Sequence, residues 1–296
     1  MTRTGILLAA ALLLVVTGAN AGMIIVDLDG GGDYTSIQEA FDNAVTGDFI
    51  QVNAGTYYES DITLDGKDLV IMYGDDIPII KSSVEGSGTG FILRNITSDT
   101  WLFALDFESF ETAILIENGS PMINYCSIRG CSTGISVTGV SGSPELSFNL
   151  IEDFTTAISV SGGSLISISN HTIAEGVIGI SASAGVLSVD KNIIYRCTTG
   201  VECGGGVMTL ACNDFWENTV DFSGCVAGPT DFFQMPMFCY EAGSSPAPYY
   251  LHIDSPCWSG NSPCGESVGA FTASHGCEGV ATGKASWGQI KQMYSQ

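Results

Sequence analysis

Residues 189–201 read VDKNIIYRCTTGV, and two apolar anchors within them, Ile194 and Val201, stand seven residues apart. The pair recurs along the chain. The Val201 position is repeated by Ile114, Ile135, Ile158, Ile180, Val201 itself and Phe222, at separations of 21, 23, 22, 21 and 21. The Ile194 position is repeated in step by Phe107, Ile128, Ile151, Ile173, Ile194 and Phe215. Two phase-locked positions kept over six repeats define a structural period. Ile50, Ile71 and Ile92 continue the Val201 register toward the N-terminus, with a one-residue slip open around Phe91–Leu93. About nine turns of roughly 22 residues follow from that spacing.

Inside each repeat the apolar residues alternate over short runs, as in LSFNLI from Leu146, and do not recur at helical spacing. Gly and Ser punctuate every run. A unit this short has no second layer to cover its apolar face, so it becomes stable only by stacking on its neighbours. A parallel coil fits, each turn rising about 4.8 Å. Leucine-rich repeats share the period, but their asparagine and leucine spacing is absent, and an antiparallel sandwich would not need such regular spacing. The fold class predicted is all-β, a parallel β-helix.

Its ends also have a reading. Ser36 and Glu39 form an S-x-x-E capping box, and Ile37, Ala40, Phe41 and Ala44 fall on one helical face, with Gly47 after them. This predicts an amphipathic helix that covers the open end of the coil stack, where edges otherwise invite association. The boundaries expected are a cap over 22–48, coils over 49–225, a closing segment over 226–278 and a tail over 279–296. In that tail Trp287, Ile290, Met293 and Tyr294 fall on one side of a short helix.

The pattern I-x-x-N-x-I-x-x-x-x-x-G-I, carried by residues 189–201, resembles the repeat of right-handed parallel β-helix proteins of the pectin-lyase-like superfamily. Residues 31–59, GGDYTSIQEAFDNAVTGDFIQVNAGTYYE, resemble the opening segment of that superfamily. Residues 231–271, from DFFQMPMFCYEAG to CGESVGAF, resemble the closing segment common in its secreted bacterial members. The resemblance implies a right-handed coil. It does not choose an activity, because the superfamily holds lyases, hydrolases, esterases, epimerases and adhesins.

The chain has 296 residues and a formal net charge of −23, which disfavours nucleic acid and anionic membrane surfaces as partners. It opens with Arg3, an apolar run over Gly5–Val16 and then Ala19-Asn20-Ala21. That is the layout of a secretory signal cleaved after Ala21, and the run is too short to span a bilayer. The protein is therefore expected outside the cell or at its surface, with no membrane span after cleavage. All 10 cysteines lie between Cys126 and Cys277, and an even number in an exported chain points to disulfides. Cys203–Cys225 should bridge adjacent coils. Cys126–Cys131 and Cys257–Cys264 are local candidates, and Cys197, Cys212, Cys239 and Cys277 are left to tie the last coils to the closing segment.

Stacking turns each phase of the repeat into a column. Two residues before the Ile194 position stand Leu105, Cys126, Asn149, His171, Asn192 and Asn213. An asparagine ladder is expected there, with Asn149, His171, Asn192 and Asn213 as rungs, since a neutral imidazole also donates and accepts. One residue after the anchor stand Glu108, Arg129, Glu152, Ala174, Tyr195 and Trp216; the next column holds Ser109, Gly130, Asp153, Glu175, Arg196 and Glu217.

The alternating signs in these columns read as surface ion pairs, each worth about 0–1 kcal/mol. A sharper reading follows from the family resemblance. Arg196 would abstract a proton beside a uronate carboxylate, with Glu175, Glu217 and Asp153 around it, and calcium would sit at Asp153 and Glu175. Tyr195, Trp216 and Arg129 are the candidate ligand contacts, because outward aromatics suit sugar faces.

No paired D-x-D, adjacent D-D and G-H-G set of polygalacturonase type is present, and no R-x-P-x-x-R of pectate-lyase type. His252 and His275 lie far along the chain from the arginine columns. Two functions remain in view beside a purely structural or assembly role. The first is a secreted or cell-surface protein that binds a polysaccharide or surface glycan without catalysis and needs no cofactor. The second is a calcium-assisted polysaccharide lyase or another carbohydrate-active enzyme.

Overall fold

Three columns of inward side chains organise the chain. The computed structural model describes residues 21–139, 141–239 and 249–271; the expected signal, over 1–20, the tail 279–296, His275 and Cys277 lie outside the described residues. The first face is a nine-stranded parallel sheet running from Met23–Val26 to Val207–Ala211. The second and third faces share a 14-stranded sheet, because the strands Ser127–Thr138 and Leu150–Val160 continue round the corner between them. Nine strands on one face mean nine coils of a parallel β-solenoid.

The Ile194 column lines the second face and continues below Phe107 through Ile80 to Tyr57. The Val201 column lines the third face and continues below Ile114 through Phe91 to Ile62. A third column lines the first face: Ile50, Ile71, Leu102, Ile123, Leu146, Ile168, Val189 and Leu210. These side chains form one continuous core, only Phe222 on the last coil staying partly exposed. Each full burial contributes about 1.5–3 kcal/mol.

Two expectations about the early coils are corrected here. Ile50 and Ile71 belong to the first-face column, and Ile92 points outward while Phe91 takes the inward slot. A 31-residue gap separates Ile71 from Leu102 against 21 from Leu102 to Ile123, because the turns before and after Ile79–Lys81 are long. The 21-residue spacing therefore ran on across a change of face.

Glycine precedes the third-face anchors Phe91, Ile135, Ile180 and Val201, and its place there has a steric cause. A Cβ at Gly179 would lie 2.5 Å from the Gly200 carbonyl oxygen, and one at Gly200 would lie 2.8 Å from that of Asp221. Corners are made by left-handed residues. Between first and second faces these are Ala104, Tyr125, Phe148, Asn170, Lys191 and Cys212; between second and third they are Ser109, Gly130, Asp153, Glu175, Arg196 and Glu217.

Helix α1, Ile37–Asn43, buries Ile37, Ala40 and Phe41, with Phe41 edge-on to Phe91 at 5.5 Å. Ser36 caps it by accepting from the Glu39 amide, as the sequence predicts. Both ends are finished by residues distant in sequence. Glu59 accepts from Ser36 Oγ and from the amides of Ile37 and Gln38, while Lys67 Nζ donates to the carbonyls of Phe41, Asp42 and Ala44. A carboxylate at the N-terminus and an ammonium at the C-terminus suit the helix dipole. The strand Met23–Val26, inside the expected cap, already pairs with Phe49–Val52 as the first rung of the solenoid.

At the other end the closing segment lies over the outward side of the second face. Phe232, Tyr249, Tyr250, Leu251, Val268 and Phe271 pack on the outward side chains Leu150, Ala174, Ile193 and Tyr195. Among the described residues no helix is long and apolar enough to cross a membrane.

Candidate functional sites on the outer surface

The residues read as a lyase centre come together, but as an ion-pair ladder. Arg196 Nε lies 2.8 Å from Glu217 and its Nη1 3.5 Å from Glu175, all three half exposed. Its guanidinium also stacks over the Tyr195 ring at 4.8 Å. Asp153 occupies the same left-handed corner one coil below Glu175. Among the described residues no group of three His, Cys, Asp or Glu side chains converges as a metal site, and Glu175 is engaged with Arg196. The Asp153–Glu175 pair is thus a poor fit to calcium, which prefers six to eight oxygens.

Tyr195 is only 4 % exposed, edge-on to Phe238 and under the closing segment, so its ring offers no face to a ligand. Trp216 packs partly buried against the same cluster. The ligand contact expected of Tyr195 is therefore corrected, its ring being covered by the closing segment, while Trp216 keeps a part-exposed ring beside that segment. Arg129 remains on the surface between Glu108 at 3.6 Å and Asp106 at 3.7 Å, and Lys81 meets Glu108 at 2.9 Å.

His171 sits on the rung between Asn149 and Asn192. Its Nδ1 accepts from the Asn149 amide at 3.2 Å and its own amide donates to Asn192 Oδ1 at 2.8 Å. Asn149 Oδ1 accepts from the Cys126 amide, and Asn213 Oδ1 from the Asn192 amide and side chain. Asp231 of the closing segment terminates the ladder by accepting from Asn213 at 2.9 Å, a rung no column could show because it lies outside the repeat. Complete burial lowers the His171 pKa to about 4, so the imidazole is neutral. Its role is structural. His252 is on the closing segment, 3.5 Å from Asp254.

Of the disulfides, Cys203–Cys225 is formed. Cys126 and Cys131 are free and buried: the second-face residues Ser127, Ile128 and Arg129 and the corner Gly130 lie between them, so they stand at opposite ends of that face. Cys257 is also free: it turns inward to Asp214, and Cys264 instead bonds Cys212, tying a coil to the closing segment. Cys197 is free and buried, and Cys239 is disulfide-bonded.

Sequence reasoning missed a strip of aromatic rings at the corner between first and second faces. Tyr73 stacks with Phe103 at 6.2 Å, Phe103 meets Tyr125 edge-on at 5.3 Å, and Tyr125 stacks on Phe148 at 5.0 Å. Trp101 stands beside Phe103 at 5.2 Å, its indole nitrogen donating to Asn124, which donates in turn to Ser147. All five rings are part-exposed. Tyr125 and Phe148 hold left-handed backbone, φ +57° and +56°, where a bulky residue costs about 1–2 kcal/mol. Asn170 and Lys191 fill the same corner in later coils. Tyr125 and Phe148 stand three residues before the anchors Ile128 and Ile151, but Phe103 and Trp101 stand four and six before Phe107 and Tyr73 seven before Ile80, so no single phase of the repeat shows the strip.

No protein-family model matches the chain, and no curated protein matches it. The parallel solenoid itself does not distinguish binding from catalysis.

Proposed function

We propose that the chain is an extracellular, right-handed β-helix protein of the pectin-lyase-like kind that binds a neutral polysaccharide or cell-surface glycan without chemistry of its own. The aromatic strip carries this reading. Its rings offer part-exposed apolar faces on a chain of net charge −23, with Gln51 and the buried, mutually hydrogen-bonded Asn124 and Ser147 in the column beside them. Sugar rings present the complement, apolar C–H faces rimmed by hydroxyls. Coil spacing of about 4.8 Å steps the rings along the axis, which suits an extended chain laid parallel to it. Disulfides in the later coils suit an oxidising compartment, in keeping with the signal-like pattern of Arg3, Gly5–Val16 and Ala19-Asn20-Ala21 in the sequence.

The lyase alternative rests on Arg196, which is held between two carboxylates. The test is affinity electrophoresis of the full mature protein through gels containing neutral or acidic polysaccharides. Retardation by a neutral glycan is expected, with Trp101→Ala and Phe148→Ala each weakening it by up to about tenfold, the equivalent of losing roughly 0.5–1.5 kcal/mol of ring contact. Unchanged retardation in both variants refutes the reading. Unsaturated products appearing with calcium would replace it by the lyase.

A further inference from the structure

The corner between the third and first faces opens into a cleft of about 370 Å³, lined by Arg94, Asn95, Glu117, Asn118, Thr138 and Gly139. Small-molecule sites run from about 300 to 1,000 Å³. Parallel register stacks Arg94, Glu117 and Thr138 as the last residues of three successive third-face strands. Asn95, Asn118 and Gly139 follow them in left-handed backbone, φ +51°, +54° and +89°.

Two neighbouring carboxamides lean apart here and leave the space between them. Asn95 Nδ2 donates to Asp65, on the coil below, at 2.8 Å. Asn118 leans to the coil above, where its Oδ1 accepts from Ser141 Oγ at 3.4 Å. A Cβ at Gly139 would stand 2.3 Å from that oxygen, so a glycine is what admits it. Arg94 Nε donates to Glu117 Oε2 along the wall, and the two side chains stay 42 % and 34 % exposed. Asn95 and Asn118 are exposed outright. The polar lining is thus open to solvent. Arg94 Nη, Asn118 Nδ2, Glu117 Oε1 and Asn95 Oδ1 have no partner among the described residues.

We infer that this cleft is a binding site for one uncharged, hydroxyl-bearing sugar unit. No Leu, Ile, Val or aromatic residue lines it, so an apolar ligand would gain little there. Arg94 and Glu117 cancel in charge; an anion would meet Glu117 and Asp65, and a cation Arg94. The free edges hold two donors, Arg94 Nη and Asn118 Nδ2, and two acceptors, Glu117 Oε1 and Asn95 Oδ1. Vicinal hydroxyls both donate and accept on adjacent carbons, and they bond the outer edges of the ion pair without breaking it. Bonds to charged groups are roughly twice as strong as neutral ones. The strands Trp101–Phe103 and Met122–Asn124 lead from this corner to the aromatic strip, so the cleft and the strip flank one face. Choosing a glycan unit among polyols rests on the reading of the strip; the site itself does not need the strip.

The test is calorimetric titration of the full mature chain with linear β-1,4-linked hexamers of glucose, xylose and mannose, and with a galacturonate hexamer. Four proteins are compared: unaltered, the strip variant Trp101→Ala/Phe148→Ala, the cleft variant Arg94→Gln/Asn118→Gly, and all changes together. Glycine suits the left-handed backbone at 118, and both cleft side chains face solvent, so the melting temperature should hold. The cleft changes are expected to weaken one neutral hexamer by about tenfold, with or without the strip. Glu117→Gln, which keeps the shape of the wall, should weaken the same hexamer. That hexamer should also move the Asn118 side-chain amide signals of the unaltered protein. Affinity lost in the strip variant and unchanged in both cleft variants overturns the cleft and leaves the strip standing. The reverse result removes the strip and keeps the cleft. Both fall if the unaltered protein binds no neutral hexamer, or binds the galacturonate hexamer more tightly.

Discussion

Asp214 is a carboxyl buried where the closing segment meets the coils, and replacing it with Asn should make the protein more stable at neutral and alkaline pH. The side chain is 0 % exposed. Its Oδ1 accepts from the Gln234 amide at 3.0 Å, and the free thiol of Cys257 faces its Oδ2 at 3.1 Å. One amide and one weak thiol donor do not replace the hydration of a carboxylate, and burial raises the pKa from 3.8 to about 7. The native state therefore holds a proton that the unfolded chain releases near 3.8. Stability from this group is full below that value, falls as pH rises through about 4 to 7, and is lost above 7. Three units at about 1.4 kcal/mol each set an upper magnitude of ~4 kcal/mol.

Asp214→Asn keeps the Oδ1 acceptor and cannot ionise. Urea unfolding of both proteins, disulfides intact, should give a stability difference near zero at pH 4, rising to a plateau of a few kcal/mol in favour of Asn above pH 7. Cys257→Ser supplies a stronger donor and should move the wild-type transition to lower pH. A difference that stays flat from pH 4 to 8 refutes the burial argument.

Other outcomes follow from the same contacts. His171 has a depressed pKa, so its contribution is lost as pH falls from 6.5 toward 4; its imidazole NMR signals should hold constant from pH 8 to 5. His171→Asn should be tolerated, whereas His171→Leu, which strands the Asn149 amide, should cost about 1–3 kcal/mol in urea unfolding. Cys126, Cys131, Cys197 and Cys257 should resist iodoacetamide in the native protein and label after denaturation without reductant, read by peptide mass spectrometry; burial raises the pKa of Cys126 and Cys197 to about 12 and that of Cys131 to about 11. Arg196→Ala should shift stability by no more than about 1 kcal/mol and leave glycan retardation unchanged, because its partners are half exposed.

The solenoid was legible because burial imposes a period: Ile128, Ile151, Ile173 and Ile194 repeat since each must enter the core directly above the last. The ladder was legible for a related reason, its turn needing the same hydrogen bonds in coil after coil. Contacts outside the period were not. Glu59 and Lys67 at the ends of α1, Asp231 on the ladder and the Cys212–Cys264 bond each join an element of the repeat to a residue with no phase. Ile50 and Ile71 show the converse failure, since a period identifies a column without saying which face it lines.

What the outward columns conceal can be read from how they change along the axis. Column Glu108, Arg129, Glu152, Ala174, Tyr195, Trp216 turns from charged to apolar where the closing segment begins to cover it. That switch marks a covered face, and taking Tyr195 for a ligand contact overlooked it. On the first face the outward column runs Val70, Trp101, Met122 and then Glu145, Ser167, Ser188, an apolar start giving way to polar residues. There the apolar part stays partly exposed, and Tyr125 and Phe148 accept strained backbone beside it. Apolar outward residues need a cover in a parallel coil as in any fold. Where the closing segment supplies it, aromatics such as Tyr195 are structural; on the first face the part-exposed rings leave a surface suited to a ligand.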